Sequence, residues 1–243
     1  MLVTVLGFWG AYPEAEGATA GYLLEIGRTS VLLDVGSGVL GKLMKYRMPK
    51  ELDAVIVTHF HHDHVADLGV LQYAMLLDRK AGGKKELPIY APPSPEAMVR
   101  AVEGIEGTTL IPIREGDRLE IGGGRFSFLR TVHPVETLAV RVEADGKAIV
   151  YTSDTRFFPE LVAFCRGADL LIAESSVYAG EDGTPAGHMN AEEAGRLAAE
   201  AEARRLVLTH LPHYGMHHAL VEAAAAVFSG PVHLAHTGAR YGV

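Results

Sequence analysis

The stretch Thr58-His59-Phe60-His61-His62-Asp63-His64 follows the apolar run Asp53-Ala-Val-Ile-Val57 and leads into a helix-like segment. A β-strand from Ala54 to Thr58 that continues as extended chain sends His59 and His61 to one side, because side chains two apart share a face. Asp63 and His64 then turn the corner into the next helix. Neutral imidazole and carboxylate suit a divalent metal such as zinc, and two such clusters a few ångströms apart suit a two-metal hydrolase. A His-rich surface loop or an expression tag would lack the apolar strand that runs straight into these histidines.

Working outward, the 243 residues are 48% hydrophobic and 21% charged, ordinary for one domain, 1–243, large enough to bury a two-sheet core. The N-terminal Met-Leu-Val-Thr-Val-Leu-Gly-Phe has no basic n-region, and no apolar run approaches the ~18 residues of a membrane span. A single cysteine, Cys165, excludes an internal disulfide and a Cys-rich zinc site, reads as a small buried apolar residue, and points to a reducing cytoplasm. The formal net charge is −8, and no Lys/Arg cluster is long enough to track a phosphate backbone, so long nucleic acid is a poor default partner. Bound divalent cations would still draw phosphate locally.

Leu2–Leu6, Gly21–Ile26 and Ser30–Asp34 read as strands of a meander. Asp34 closes the third, before the corner Val35-Gly36-Ser37-Gly38 and a helix-like segment from Val39 to Tyr46; there it could serve as a helix cap. After the His cluster, apolar residues at Val65, Leu68, Leu71, Met75 and Leu76 give a helical period over 65–79. Ser94-Pro95-Glu96 reads as the capped opening of another helix. Gly122-Gly-Gly124 reads as a turn, not a phosphate loop.

In the second half, His133 ends an apolar run and is forced into extended geometry by Pro134. The strand Lys147–Tyr151 ends in Thr152-Ser153-Asp154-Thr155, another carboxylate at a strand tip, and a carboxylate can bridge two cations. Asp169–Ala173 is an apolar strand closed by Glu174. His188 ends a loop rich in Gly and Pro, and Asn190-Ala-Glu-Glu193 reads as a capping box for a helix over 191–203. Arg205–Thr209 repeats the pattern of apolar strand, threonine and then histidine, His210. A helix over 219–228 and a strand over 232–235 follow. The alternation predicts two β-sheets face to face with helices outside, and a site along the edge where strand tips meet.

Asp34, the cluster His59 to His64, His133, Asp154 and His210, in that order and each at a strand end, resemble the ordered motifs of the metallo-β-lactamase superfamily across nearly the whole chain. The resemblance implies a four-layer αβ/βα sandwich of two mixed sheets. It also implies two divalent cations, zinc first and manganese or iron as substitutes, with a hydroxide between them. One cation would be held by His59, His61, His133 and Asp154, and the other by Asp63, His64, Asp154 and His210. Asp63 would orient the hydroxide or take its proton, and Asp34 would prop the metal loop from behind. Relatives often dimerise, which makes a homodimer an expectation by analogy.

Glu174 and His188, the latter in Gly-His-Met-Asn-Ala-Glu-Glu-Ala-Gly, look like the Glu and His pair of ribonuclease Z and related phosphodiesterases. Ribonuclease Z usually carries a long arm between the residues that match His133 and Asp154, whereas here only residues 134–153 intervene. A small phosphodiester such as a cyclic nucleotide is thus the expected substrate, with tRNA 3′-processing second. Thioester or lactone hydrolysis is a third reading, and a non-hydrolytic metal-binding or redox protein is one of a different class. His213 or Tyr214, just past His210, are candidate substrate contacts; His62, His217, His218, His233 and His236 are read as solvated or core histidines.

Overall fold

The computed structural model describes residues 1–243. The first sheet contains β1 (Leu2–Gly7), β2 (Gly21–Ile26), β3 (Thr29–Leu33), β4 (Ala54–Ile56), β5 (Leu87–Ala91) and β6 (Thr108–Pro112). The second contains β7 (Arg118–Ile121), β8 (Gly124–Arg130), β9 (Leu138–Ala144), β10 (Lys147–Tyr151), β11 (Leu170–Glu174), β12 (Leu206–Thr209) and β13 (Val232–Leu234). A last strand, β14 (Arg240–Gly242), returns to pair antiparallel with β1. The result is two seven-stranded mixed sheets, ordered β14-β1-β2-β3-β4-β5-β6 and β13-β12-β11-β10-β9-β8-β7, the first completed by the C-terminal strand.

Period-two alternation within the strands makes the layers. On β2, Tyr22 and Leu24 face the second sheet while Leu23 faces outward; on β10, Ile149 and Tyr151 face the first sheet while Val150 faces outward. The inward residues of both sheets form one core, with Phe126, Val140 and Ile172 opposite Val5, Val31 and Ile56. Helices α1 (Val39–Leu43), α2 (His62–Val65), α3 (Leu68–Lys80) and α4 (Glu96–Val102) belong to the first half. In the second half, α5 (Pro159–Cys165), α6 (Ala191–Glu200) and α7 (His218–Val227) cover the outer face. These are the two facing sheets with helices outside that the strand and helix alternation predicts, and the four-layer sandwich that the family resemblance implies.

Several boundaries differ from those expected from sequence, each for a local reason. The single helix expected over 65–79 is two: α2 opens at His62, and the chain breaks before α3, where the Asp67 carboxylate instead accepts the Leu40 N–H at 2.9 Å. Its apolar stripe is buried as expected at Val65, Leu68, Leu71 and Met75. Ser94 is not a cap; extended Pro95 occupies the position before α4 and no side chain caps that helix. Asp34 caps no helix either, since Gly38 precedes α1. The Asn190 capping box forms in full, with Asn190 Oδ1 accepting from Glu193 N at 2.9 Å and Glu193 Oε2 accepting from Asn190 N at 3.1 Å. Cys165 is buried, and burial pushes its thiol up to about 12. No helix is long and apolar enough to cross a membrane.

Candidate metal centre

Strands β3 and β4 run parallel, as do β10, β11 and β12. Their carboxyl ends meet at one edge of the sandwich, where an open α/β sheet most readily binds ligands. Asp34 follows β3, His59 lies beyond β4, Asp154 beyond β10, Glu174 ends β11 and His210 follows β12. Three of these tips turn through left-handed backbone at non-glycine residues: Asp34 (φ 58°), Ser153 (φ 52°) and His210 (φ 53°). Such a conformation costs roughly 1–2 kcal/mol per residue; here it brings Asp34 Oδ2 and Ser153 Oγ to Thr58 Oγ1, at 2.9 and 2.7 Å, and turns His210 Nε2 toward Asp63 and Asp154.

Two clusters result. The ligand atoms of His59, His61, His133 and Asp154 lie within 4.8 Å of one another, as do those of Asp63, His64 and His210. Asp154 stands between them: its Oδ2 is 3.6 Å from His59 Nε2, 3.8 Å from His133 Nε2 and 3.4 Å from His210 Nε2, and its Oδ1 is 3.4 Å from His64 Nε2. Every ligand expected from the sequence is therefore brought together. His62, His217, His218, His233 and His236 stand outside both clusters; His217 Nε2–H donates to Pro212 O at 2.7 Å.

The far side of each of three imidazoles is fixed by an acceptor. His64 Nδ1–H donates to Asp34 Oδ2 at 2.8 Å, and His133 Nδ1–H to Gly187 O at 3.1 Å. His210 Nδ1–H donates to Ser176 Oγ at 2.8 Å, while the Ser176 hydroxyl donates to Glu174 Oε2 at 2.5 Å. A proton on Nδ1 leaves the Nε2 lone pair facing the cluster, the arrangement a metal requires. Gly187 is needed here: its φ is +78°, and a Cβ would come within 3.0 Å of His133 Nδ1.

Burial pushes the pKa values of His59, His61 and His133 down, so these imidazoles are neutral donors. For His64 and His210 burial acts the same way, but Asp154 and the carboxylates beside them outweigh it and push both up. Burial would raise Asp154 and Asp63, yet the facing histidines hold both well below the usual carboxylate range.

The donor set fits divalent cations on a direct observation. His59 Nε2, His64 Nε2 and Asp154 Oδ1 are buried, converge on one space, and have no hydrogen-bond partner. Burying such atoms unsatisfied is costly, and cation coordination would satisfy all three at once. A cation would also replace the protons that the carboxylates draw onto His64 and His210.

Asp34 holds this edge together. It is fully buried and accepts from Thr58 N (2.8 Å), Thr58 Oγ1 (2.9 Å), His64 Nδ1 (2.8 Å) and Tyr151 OH (3.1 Å). Asp34→Ala would leave four buried donors unpaired. We expect it to cost about 3–5 kcal/mol of stability, read as a lowered urea midpoint. A loss below about 1 kcal/mol would contradict this role.

Beside the clusters, His188 Nδ1–H donates to Glu174 Oε1 at 2.9 Å, and the same oxygen accepts Thr155 N at 2.7 Å. The His188 ring lies 5.1 Å from that of His133 and 5.3 Å from that of His210. Burial lowers its pKa, but the Glu174 carboxylate more than compensates, and Asp154 and Asp63 add to it, so it is pushed up to about 9. Of the candidate substrate contacts, Tyr214 is exposed, with its OH donating to Glu181 Oε2 at 2.6 Å. His213 is instead sandwiched between Trp9 and Tyr12. Ser176 and Tyr12 carried no sequence signal, since their importance arises only from what folding places beside them.

Comparison with known proteins agrees with this geometry. A family model described as a beta-lactamase superfamily domain matches residues 29–211. The chain is 43% identical to the probable metallo-hydrolase YhfI of Bacillus subtilis over 98% of each sequence. The crystal structure of that metallo-beta-lactamase fold protein superposes with a TM-score of 0.94, over 99% of this chain and 98% of that one. Ribonuclease Z of Myxococcus xanthus is 28% identical over 97% of this chain and 95% of its own length. The human short-form tRNase Z shares the fold, at 21% identity and a TM-score of 0.78 over 100% of this chain and 99% of that one. With strand order, cluster geometry and sequence all in agreement, the chain belongs to the metallo-β-lactamase superfamily of metal-dependent hydrolases.

Proposed function

We propose that the protein is a phosphodiesterase acting on a small phosphodiester, with a cyclic nucleotide as the leading example. The observation that carries this reading is the Glu174–His188 pair, an imidazole whose Nδ1 lies 2.9 Å from a buried carboxylate that pushes its pKa up, at the rim of the metal clusters. Hydrolysis of a phosphodiester expels an alkoxide, a poor leaving group that a positioned acid assists by roughly 10²- to 10⁴-fold. Thioester hydrolysis expels a thiolate, a far better leaving group, and has less need of such an acid.

Two divalent cations, zinc first by donor type with manganese or iron as substitutes, would be held by His59, His61, His133 and Asp154 and by Asp63, His64, Asp154 and His210. When bound, they supply Lewis acidity and a water of lowered pKa. The rest is done by the chain. Asp63 Oδ2, fixed by the Ala11 N–H at 2.9 Å, orients the attacking water or takes its proton. His188 presents Nε2–H to the departing oxygen, and Glu174 holds the ring and its charge. Ser176 ties that pair to His210 through one hydroxyl.

tRNA 3′-processing is the second reading, favoured by the full-length similarity to ribonuclease Z of Myxococcus xanthus. Against it, residues 134–153 fold mainly as the hairpin β9–β10, leaving no gripping arm there, and the net charge of −8 opposes a long polyanion. The test is a substrate panel on metal-replete protein: 2′,3′- and 3′,5′-cyclic nucleotides, bis(p-nitrophenyl) phosphate, a tRNA precursor, a thioester and a β-lactam. Turnover of the cyclic nucleotides and of bis(p-nitrophenyl) phosphate is expected. Turnover of the thioester with none of any phosphodiester would overturn the reading.

A further inference from the structure

Three rings stand in a pile beside the metal clusters. Trp9, the only tryptophan, is buried and stacks on the His213 imidazole with centroids 4.7 Å apart and planes 14° from parallel. His213 stacks in turn on Tyr12 at 3.8 Å and 5°. Tyr12 ends the pile and is 59% exposed. The pile is rigidly built. Trp9 pairs by backbone bridges with Thr19 and Leu211, and His213 Nε2–H points at both Tyr12 O (2.7 Å) and Gly10 O (3.2 Å).

The same loop touches the clusters. Gly10 lies against His210, where a Cβ would sit 2.9 Å from Nδ1. Ala11 is held in left-handed backbone (φ 61°), unfavourable for an alanine, and from there its N–H reaches Asp63 Oδ2 at 2.9 Å. Tyr12 is therefore one residue step, about 3.8 Å between Cα atoms, from the amide that fixes Asp63. A large ring immobilised in solvent at this place, with its inner face already stacked, offers its outer face to a flat partner.

We propose that Tyr12 is a stacking platform for a planar heteroaromatic ring of nucleobase size carried by the substrate, so that the ester cleaved belongs to a nucleoside. This rests on the phosphodiester reading for what carries the ring. The bound base would be the fourth layer of the Trp9–His213–Tyr12 pile, and its phosphate would lie over the clusters. Base stacking on an aromatic side chain tolerates sequence because every base has a π-face; the platform would select for a base without choosing which one.

The test measures binding to metal-replete protein by calorimetry, with quenching of Trp9 fluorescence as a second readout. The probes are adenosine 5′-monophosphate and ribose 5-phosphate, which share sugar and phosphate and differ by the base. Wild type is expected to bind the nucleotide about tenfold or more tighter. Tyr12→Ala should remove most of that preference while leaving ribose 5-phosphate affinity unchanged, and Tyr12→Phe should keep it. Equal affinity for the two probes in wild type, undetectable binding of both included, or a preference that survives Tyr12→Ala, would overturn the proposal. These outcomes are independent of hydrolysis: a protein that cleaves bis(p-nitrophenyl) phosphate but shows no base preference refutes the platform alone. One that stacks the nucleotide but cleaves no phosphodiester refutes the phosphodiesterase reading alone.

Discussion

Asp154→Asn is expected to lower bound metal below one equivalent per chain and turnover by about 10³-fold or more, the scale of the several kcal/mol a metal centre supplies. Asp154 is the one carboxylate that approaches histidines of both clusters, at 3.4–3.8 Å from His59, His64, His133 and His210. Asparagine keeps the volume but removes the charge that balances those imidazoles and one of two oxygens able to face two cations. The backbone anchor, Thr131 Oγ1 donating to Asp154 O at 2.8 Å, is untouched, so the circular dichroism spectrum should be unchanged. Elemental analysis and a bis(p-nitrophenyl) phosphate assay check the two effects. A variant that keeps two metals and a tenth of the activity would refute the central placement of Asp154.

His188→Ala has the second largest expected effect, and it depends on the leaving group. With an alkyl leaving group, kcat should fall by roughly 10²- to 10⁴-fold; with p-nitrophenolate, which departs unaided, by far less. Equal losses on both would remove His188 from the role of acid. The pH profile supplies an independent check. Glu174 raises the His188 pKa, so the acid form is favoured at low pH and is lost as pH rises through that raised pKa. Bound cations would oppose the contributions of Asp154 and Asp63, so the basic limb should lie below about 9. Glu174→Gln should move that limb to lower pH. A limb that stays in place in the variant would disconnect it from the pair.

Much of this site is written in local sequence, and the reason is geometric. A parallel strand ends where its apolar run ends, so Asp34, His59, Asp154, Glu174 and His210 each sit after a readable apolar segment. Where a functional group depends on contacts between distant segments, the sequence is silent. Ser176 has no motif, yet its hydroxyl meets Glu174 and His210, two and 34 residues away. Tyr12 looks like any loop tyrosine until His213, 201 residues on, is packed against it. The misplaced helix boundary has the same cause: the helical period around Val65 continues through the break at Ala66 and Asp67, but the Asp67 carboxylate is drawn to Leu40 N in another segment. Left-handed turns at Asp34, Ser153 and His210 had no signal either, because none uses the glycine that usually marks such backbone.

The division of donors between the sheets also bears on how the chain assembles. His59, His61, Asp63 and His64 come from the first sheet's half, and His133, Asp154 and His210 from the second. Neither half alone can encircle a cation as the folded chain can, since His59 and His210 stand at opposite ends of the donor series. Contacts of such long range form late in folding, after loop-closure entropy has been overcome. Tight metal capture is therefore deferred until the sheets have docked, and a growing chain that has not yet emerged as far as His210 offers only a partial, weaker trap. The ion would act as a checkpoint on completed folding rather than as its seed.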